Sequence, residues 1–367
     1  AASDVYKRQL QCVVDFAGKA PKALYYLGNL WYDKRRYPTA IAAWERSSRE
    51  DETFPTVWRN LSLAYFNKMN RPDEAVALLE KAFCLDHTDA RVLMELDQLY
   101  KRLNRPHIER LCFLEQHIDI VMTRDDLYLE YVTLLNQTGQ YREAIRRIDQ
   151  RKFHPWEGGE GKVPAQYQLA RLELAKELIN RKKYDDALAL IDECYIYPTH
   201  LGEGKLPGAQ ENDFNYYKAY ILQQQGRPEE AHSLFVKACS GNSQPAAAMY
   251  YNDQKPDKIF YQGLAYRKLG EEEKARSRFN QLITYGEEHL FDRFKMDYFA
   301  VSLPDLLIWE DDMDKKNRIH CNYLMALGHL GLGNRTKAEH FFDIAASMDN
   351  NHQGVQIHRK LMNTILS

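Results

Sequence analysis

The chain has 367 residues, of which 44% are hydrophobic and 28% charged, and this balance is typical of a folded protein rather than a disordered one. Its formal net charge of −2 gives no general electrostatic reason to expect nucleic acid or an anionic membrane as a partner. No apolar run approaches the roughly 18 residues that a membrane-spanning helix needs, so we expect no membrane span.

The chain does not begin with Met, and AASDVYKRQ leads directly into an apolar stretch. This opening is typical of a translated library-adaptor remnant on a metagenomic reading frame. We therefore interpret residues 1–20 as that remnant followed by the end of a truncated helix. A preceding domain is then expected to be missing, and the absence of a signal peptide leaves the compartment unknown.

The six cysteines are far apart and form no C-x-x-C pair, which argues against a disulfide framework or a zinc site. They are interpreted as mostly buried free thiols, and unpaired thiols favour a cytoplasmic location. The cysteines are Cys12, Cys84, Cys112, Cys194, Cys239 and Cys321.

From residue 21 onward a pattern of about 34 residues repeats. Each copy has an aromatic or aliphatic stripe, a small residue, a turn and a second stripe with a marker alanine. Two amphipathic helices that cross closely at small residues explain this pattern. The marker positions are Ala40, Ala75, Ala144, Ala187, Ala231, Ala275 and Ala338.

This pattern resembles the tetratricopeptide repeat, and the resemblance implies an all-α, right-handed superhelical solenoid. About eight helix pairs are expected over residues 21–350, with repeats 1–4 in 21–150 and repeats 5–8 in 151–350. Arg110 replaces the marker alanine in the third repeat, which is therefore degenerate. Residues 351–367 are expected to form a capping helix, because a terminal repeat otherwise leaves an apolar face in water.

The period lengthens in the second half of the chain. Marker intervals of 35, 35 and 34 residues become 43, 44, 44 and 63, with Arg110 taken as the third marker. The extra residues form insertions at 152–166, 196–211, 240–255 and 285–316, each between one helix pair and the next. Equivalent connections align along one edge of a stacked array, so adjacent insertions are expected to touch and to form a ledge.

The first two insertions carry the same motif, because Gly159-Glu160-Gly161-Lys162 aligns with Gly202-Glu203-Gly204-Lys205. In the fourth insertion, Glu310 to Asp312 followed by two lysines predicts a solvated helix start. With YFAVSLPDLLIWEDD and RIHCNYLMALGHLGLG, these loops resemble bacterial proteins that join an N-terminal β-rich domain of unknown function to a tetratricopeptide array. That resemblance implies a role in carbohydrate use.

GEGK does not fit a phosphate-binding loop, because Trp156 stands where a glycine is required and Val163 where a hydroxyl is required. Two other interpretations stay open. The motif can encode one tight loop shape twice, with its glutamates accepting backbone N–H groups and its lysines bonding carbonyls or a carboxylate. Alternatively, side chains that differ between the copies form a surface for a protein domain or an oligosaccharide.

The candidate binding ledge combines the loop residues with the start of the helix that follows the second insertion. Its members are His154, Trp156, Glu157, Glu160, Lys162, His200, Glu203, Lys205, Asn212, Asp213, Tyr216 and Tyr217. The concave face, lined by the first helix of each pair, is the usual alternative site in such arrays. Its candidates are Asn29, Arg59, Asn60, Asn67, Tyr217 and Arg267.

No catalytic motif or regular metal-ligand spacing occurs, so we expect no catalytic residues, no metal and no cofactor. His320, His329 and His340 are interpreted as packing or surface residues. The sequence therefore predicts a non-catalytic scaffold for a protein partner or for its own missing N-terminal domain. The alternative is an accessory part of a carbohydrate-active protein, in which the GEGK loops complete a glycan-binding or glycosidase site.

Overall fold

The computed structural model describes residues 2–16, 18–247, 253–293 and 308–362, and in these residues the regular structure is helical throughout. The helices are α1 (Ala2–Phe16), α2 (Pro21–Asp33), α3 (Tyr37–Glu50), α4 (Pro55–Met69), α5 (Pro72–Leu85), α6 (Ala90–Arg102), α7 (His107–Gln116), α8 (Ile118–Val121), α9 (Asp125–Gln137), α10 (Tyr141–Asp149), α11 (Lys162–Asn180), α12 (Tyr184–Cys194), α13 (Asn212–Gln224), α14 (Pro228–Ala238), α15 (Pro256–Lys268), α16 (Glu272–His289), α17 (Met313–Gly331), α18 (Arg335–Met348) and α19 (Gln353–Leu361), with a 3-10 turn at Thr199–Leu201.

The helices follow one another as packed pairs, which confirms the all-helical repeat fold. Within each pair the two helices are joined by a short turn that contains one residue in the left-handed region. Four pairs use glycine there and four use other residues, with φ between 52° and 80°. These residues are Arg35, Asn70, Asn104, Gly139, Lys182, Gly226, Gly270 and Gly333.

The marker alanines lie where the two helices of a pair cross, and each is at most 2% exposed. Packing at such a crossing leaves no room for a longer side chain. Phe279 also depends on small neighbouring residues, because its large ring packs against two glycines. A Cβ added at Gly263 or Gly331 would lie only 2.4 Å and 2.2 Å from its ring. Small residues on α15 and α17 therefore make the space that this phenylalanine fills.

The described chain divides into two compact units, of which the first comprises residues 1–105, 113–127 and 302–311. Its early core centres on Trp44, which is 3% exposed and packs directly on Gly28. The indole Nε1 of Trp44 donates to the carbonyl of Tyr25 (3.0 Å), so the large side chain is buried without losing its hydrogen bond.

The second unit comprises residues 106–112, 128–301 and 312–367, and one continuous hydrophobic core runs from Tyr141 to Leu361. The capping helix α19 packs on α17 and α18 and also bonds to earlier helices of this unit. Lys360 Nζ donates to the hydroxyl of Tyr141 (3.0 Å), and Gln166 Nε2 donates to Gln353 Oε1 (2.8 Å). The cap thus covers polar side chains as well as an apolar face.

Arg110, the residue that replaces a marker alanine, is 1% exposed. Its guanidinium donates to Glu130 Oε1 (2.8 Å) and to Asn351 Oδ1 (2.7 Å). A guanidinium in the position of a methyl group is tolerated because a carboxylate and an amide take up its donors. The degenerate repeat therefore has a bonding role of its own within the second unit.

Two expectations need correction. Cys12, Cys84 and Cys112 are exposed, so only part of the thiols are buried, although all six cysteines are free. The fourth insertion begins later than residue 285, because α16 continues to His289. Its residues 294–307, like residues 248–252 of the third insertion, lie outside the described residues. None of the described helices is both long and apolar enough to cross a membrane.

Candidate functional site

The two GEGK loops lie against each other in the second unit. The N–H of Phe153 donates to the carbonyl of His200 (2.8 Å), which joins the start of the first loop to the second. Gly202 has a φ of 76°, and a Cβ there would lie 2.7 Å from the carbonyl oxygen of Phe153. A glycine is thus required at this contact for conformation and for space.

The equivalent glutamates of the two copies have different roles. Glu203 Oε2 accepts a hydrogen bond from the N–H of Gly161 (2.7 Å), whereas Glu160 is exposed. Burial raises the pKa of Glu203, and the bond from Gly161 partly opposes that shift. The glutamate of the second copy therefore bonds the backbone of the first copy. The motif is repeated in sequence, but its two glutamates have different contacts.

Trp156 is half-buried and lies over Gly159, where an added Cβ would be 2.3 Å from the indole ring. The ring forms one wall of a hollow of about 270 Å³ at the loop surface. The hollow also has His154, Glu157, Glu160 and Glu203 in its wall. The hollow therefore places the indole ring of Trp156 beside the carboxylates of these three glutamates.

The two motif lysines also differ. Lys162 opens α11, and its N–H donates to the carbonyl of Gly159 (3.0 Å). Lys205 Nζ donates to the carbonyl of Tyr195 (3.0 Å) and forms an ion pair with Glu211. The bonds of Glu203 and Lys205 are those that a purely structural loop would use.

The residues predicted at the start of α13 do not form a surface. Asn212 Nδ2 donates to the carbonyls of Ala238 and Ser240 (both 2.8 Å), which fastens α13 to the third insertion. Tyr216 and Tyr217 are 5% and 8% exposed and belong to the hydrophobic core. These aromatic side chains therefore do not extend the ledge as the sequence suggested.

Asp213 is also buried, and it lines a second-unit cavity of about 370 Å³ that sequence reasoning missed. Its Oδ1 lies 2.6 Å from Lys258 Nζ, and Glu173 Oε1 lies 2.5 Å from Lys176 Nζ. The wall contains charged, histidine and aromatic side chains, namely Glu173, Lys176, Asp213, Phe214, Lys255, Asp257, Lys258, Tyr261, His320, Tyr323, His352 and His358.

Four of the concave-face candidates come together in the first unit, where Asn29, Arg59, Asn60 and Asn67 line a cavity of about 630 Å³. Arg59 forms a two-pronged pair with Glu95, with both N–O distances at 2.6 Å. Asn60 Nδ2 donates to Asn29 Oδ1 (2.9 Å). The other two candidates belong to the second unit, where Arg267 pairs with Glu272 (3.1 Å) and Tyr217 lies in the core.

A short segment of the chain, Ile308 to Asp311, lies on this first-unit surface. Asn67 Nδ2 donates to the carbonyl of Ile308 (2.8 Å), and Asn67 Oδ1 accepts from the N–H of Glu310 (3.0 Å). Trp309, at the centre of the segment, is 1% exposed. The side chain of Asn67 thus hydrogen-bonds the backbone on both sides of the buried Trp309.

The side chains of the segment are also held. Trp309 Nε1 donates to the carbonyl of Glu95 (3.1 Å), and its ring meets Phe66 edge-on at 5.2 Å. Arg102 donates to the carbonyl of Trp309 (3.1 Å) and pairs with Asp311. We call the surface formed by Phe66, Asn67, Lys68, Glu95 and Arg102 the first-unit groove.

The prediction of a solvated helix start at Glu310 to Asp312 is confirmed for the helix start, since α17 follows Asp312, and it needs correction at Asp311, which is not solvated. Glu310 pairs with Lys68, and the side chain of Asp311 is 11% exposed beside Arg102. Asp312 alone serves the following helix, where its carboxylate accepts from the N–H of Lys315 (2.8 Å) as the N-cap of α17. The acidic run therefore changes role within three residues.

Residues 259–285, which span most of α15 and α16, match a family model described as tetratricopeptide repeat. This helix pair is a tetratricopeptide repeat. The predicted resemblance to the tetratricopeptide repeat is thereby confirmed. The narrower resemblance to proteins with an N-terminal β-rich domain remains a prediction. No group of three or more His, Cys, Asp or Glu side chains that could hold a metal occurs among the residues that the structure describes.

Several solved structures of tetratricopeptide-repeat proteins are similar to this one. YrrB, described as having an unusual peptide-binding site, is 14% identical over 50% of this chain and 90% of its own, with a TM-score of 0.38. A protein from Parabacteroides merdae is 15% identical over 71% of this chain and 90% of its own, with a TM-score of 0.33. Naa15/Naa10 bound to HypK-THB is 12% identical over 99% of this chain and 66% of its own, with a TM-score of 0.44. At these values we take nothing about function from them.

Proposed function

We propose that this tetratricopeptide-repeat protein is a non-catalytic scaffold for protein–protein interaction, and that the first-unit groove binds a short peptide segment. The observation that carries the proposal is the pair of hydrogen bonds between Asn67 and the backbone of Ile308 and Glu310. A side-chain amide that bonds a carbonyl and an N–H two residues apart binds a peptide through its main chain. Such binding does not depend on the peptide's side chains.

Side-chain contacts then define the kind of peptide. Trp309 fills a buried pocket, and large aromatic anchors supply most of the binding energy in many interfaces. Lys68 and Arg102 pair with the two acidic residues that follow. The preferred partner is therefore a segment in which a tryptophan precedes two acidic residues.

Space remains beside the bound segment for a longer partner. The cavity of about 630 Å³ has Ile308 and Glu310 in its wall, together with Asn29, Tyr32 and Asn60. A peptide that continues beyond the position of Ile308 would meet these polar and aromatic side chains. The chain's own segment then acts as a local competitor, because a segment of the same chain has a high effective concentration at the groove.

The GEGK ledge is proposed as a second docking surface, for a partner protein or for a domain that precedes this chain. The hollow beside Trp156 also supports the alternative function, an accessory part of a carbohydrate-active protein, because Glu157, Glu160 and Glu203 lie beside an aromatic ring. The fixed position of Glu203 on Gly161 favours docking over chemistry at that carboxylate.

The test of the groove uses a labelled peptide with the sequence of residues 308–312, IWEDD, and fluorescence anisotropy on the full chain. Trp309→Ala empties the pocket of the internal segment, so this variant is expected to bind the peptide at least tenfold more tightly than the native chain. Adding Asn67→Ala should abolish that gain. A peptide with alanine in place of tryptophan is the control. Equal, weak binding by the native chain and Trp309→Ala would contradict the proposal.

A further inference from the structure

The second-unit cavity has the features of a ligand site, and neither the groove residues nor the GEGK motif glutamates are among the residues that line it. Its volume of about 370 Å³ is within the usual range for small-molecule pockets. Glu173, Asp213, Lys258 and His358 line it, and each is at most 7% exposed. Burying so many polar groups is costly unless each has a partner.

One of these groups lacks a partner in the part of the chain that the structure describes. His358 Nδ1 lies 2.8 Å from the carbonyl of Gly354, and a carbonyl only accepts, so Nδ1 carries the proton. Nε2 of the neutral ring is then an acceptor. It is buried and has no hydrogen-bond partner among the described residues. The cavity therefore offers a fixed acceptor that calls for an O–H or N–H donor.

The orientation of His358 is fixed by its neighbours. Its ring centroid lies 5.7 Å from that of Phe260 and 5.8 Å from those of Tyr261 and Tyr323. Tyr323 OH also lies 3.0 Å from Nδ1. The imidazole cannot turn Nε2 toward another protein group without losing these contacts, so the orientation of this cavity-lining ring is fixed.

The charges in the wall define the ligand further. Three ammonium groups, from Lys176, Lys255 and Lys258, balance three carboxylates. Since their formal charges cancel, the cavity offers no net attraction to an ion. Ammonium groups donate, and carboxylates and His358 Nε2 accept, so both kinds of group face the same space. A hydroxyl is the small neutral group that donates and accepts at a single atom.

The cavity also borders the third insertion, since Lys255 lies in its wall. A neighbouring hollow of about 340 Å³, lined by Gly161, Pro207 and Gln210, shares Lys255 and Lys258 with it. We propose that the second-unit cavity binds a small, neutral molecule that carries several hydroxyl groups, with His358 Nε2 accepting from one of them and the rings of Tyr261 and Tyr323 against its apolar face. This site is independent of the groove, so either proposal can fail without the other.

The experiment compares glucose, glucuronate and glucosamine at equal millimolar concentration, by saturation-transfer NMR and by titration of ¹⁵N-histidine-labelled full chain. Glucose is expected to bind and to shift the Nε2 resonance of His358, and the charged relatives are expected to bind at least tenfold more weakly. His358→Phe should weaken glucose binding tenfold or more. His340→Phe is the matched control, because His340 is an exposed histidine on α18.

A second variant covers the case in which His358→Phe does not fold. Ile357→Trp enlarges a wall residue of the cavity and is expected to remove binding while thermal unfolding shows a folded chain. Three results would overturn the proposal: no binding of glucose, which leaves the cavity to water alone; tighter binding of a charged relative; and full binding by Ile357→Trp, which places the ligand elsewhere.

Discussion

The two equivalent glutamates of the GEGK motif provide a matched pair of substitutions. Glu203 accepts the N–H of Gly161 at 2.7 Å, whereas Glu160 occupies the same motif position and is exposed. Replacing Glu203 with alanine leaves that N–H without its carboxylate and weakens the contact between the two loops, whereas the hydrogen bond from Phe153 to His200 remains. Replacing Glu160 removes an exposed carboxylate from the same peptide motif. The pair therefore isolates the contact between loops from the motif itself.

The expected magnitude follows from two opposing contributions. A hydrogen bond to a charged group contributes about 1.5–3 kcal/mol. Burial opposes this contribution, as shown by the raised pKa of Glu203. We expect Glu203→Ala to destabilise the loop contact by about 1 kcal/mol, which is a factor of about 5 in the population of the open loop. Glu160→Ala should remain within about 0.5 kcal/mol of the native chain.

Hydrogen–deuterium exchange measures this difference directly. In Glu203→Ala, the peptide fragment that covers residues 157–166 should exchange about fivefold faster, because the N–H of Gly161 loses its acceptor. Glu203→Gln retains an acceptor oxygen and should keep most of the protection. The reasoning would be refuted if Glu160→Ala accelerated exchange as much as Glu203→Ala did, or if neither variant changed it.

Three further predictions concern the second unit. Arg110→Ala restores the repeat's marker residue but leaves Glu130 without its buried partner, so chemical denaturation should show a loss of about 3 kcal/mol. Burial lowers the pKa of His358 from 6.5 to about 4, and the unfolded chain binds a proton that the folded chain does not. The free energy of unfolding should therefore decrease as pH falls from about 6.5 to about 4, by up to about 1.4 kcal/mol per unit, and less steeply in His358→Phe. Gly331→Ala places a methyl group against Phe279 and should lower the melting temperature, at a cost of about 1–3 kcal/mol.

The helix pairs could be predicted from the sequence because their determinants are local. Ala144 and Ala187 recur at matching positions, and Gly139 or Lys182 follows the first helix of each pair. The contact between the two GEGK loops was also expected, since equivalent connections of a stacked array are neighbours. What the motif could not indicate was its asymmetry, because Glu160 and Glu203 are identical in sequence and differ only in what lies beside them.

The exposure of side chains at helix starts was harder to predict. Asn212, Asp213, Tyr216 and Tyr217 follow an insertion and contain polar groups, and both features are typical of a surface. In the structure the third insertion covers Asn212, and Lys258 neutralises Asp213, so the polar groups are satisfied inside the fold. Periodicity identifies which side chains share a helix face, but it does not tell what covers that face.

The segment that lies on the groove and the second-unit cavity were missed for a related reason, although Asn67 was among the predicted concave-face residues. Asn67 and Ile308 are 241 residues apart, and Gln166 and Gln353 are 187 apart. No periodic pattern connects such positions, and the polar residues on the first helices therefore look unexplained when each repeat is considered alone. Once Trp309 is placed on the groove, Asn67 and Arg102 are explained by their hydrogen bonds to the backbone of this segment.

In each unit, a polar residue on a first helix is matched by a segment from much later in the chain. Asn67 in the first unit bonds the segment around Trp309, and Gln166 in the second bonds α19. Gln166 Oε1 also accepts a hydrogen bond from Asn136 Nδ2 of the preceding helix pair (3.0 Å), so this amide joins a neighbouring repeat and the later segment. Polar residues that break the apolar pattern of a first helix therefore mark the places where a repeat array binds another segment. His358 extends the same reasoning to a small ligand, since its Nε2 is one of the buried polar atoms that the described residues leave without a hydrogen-bond partner.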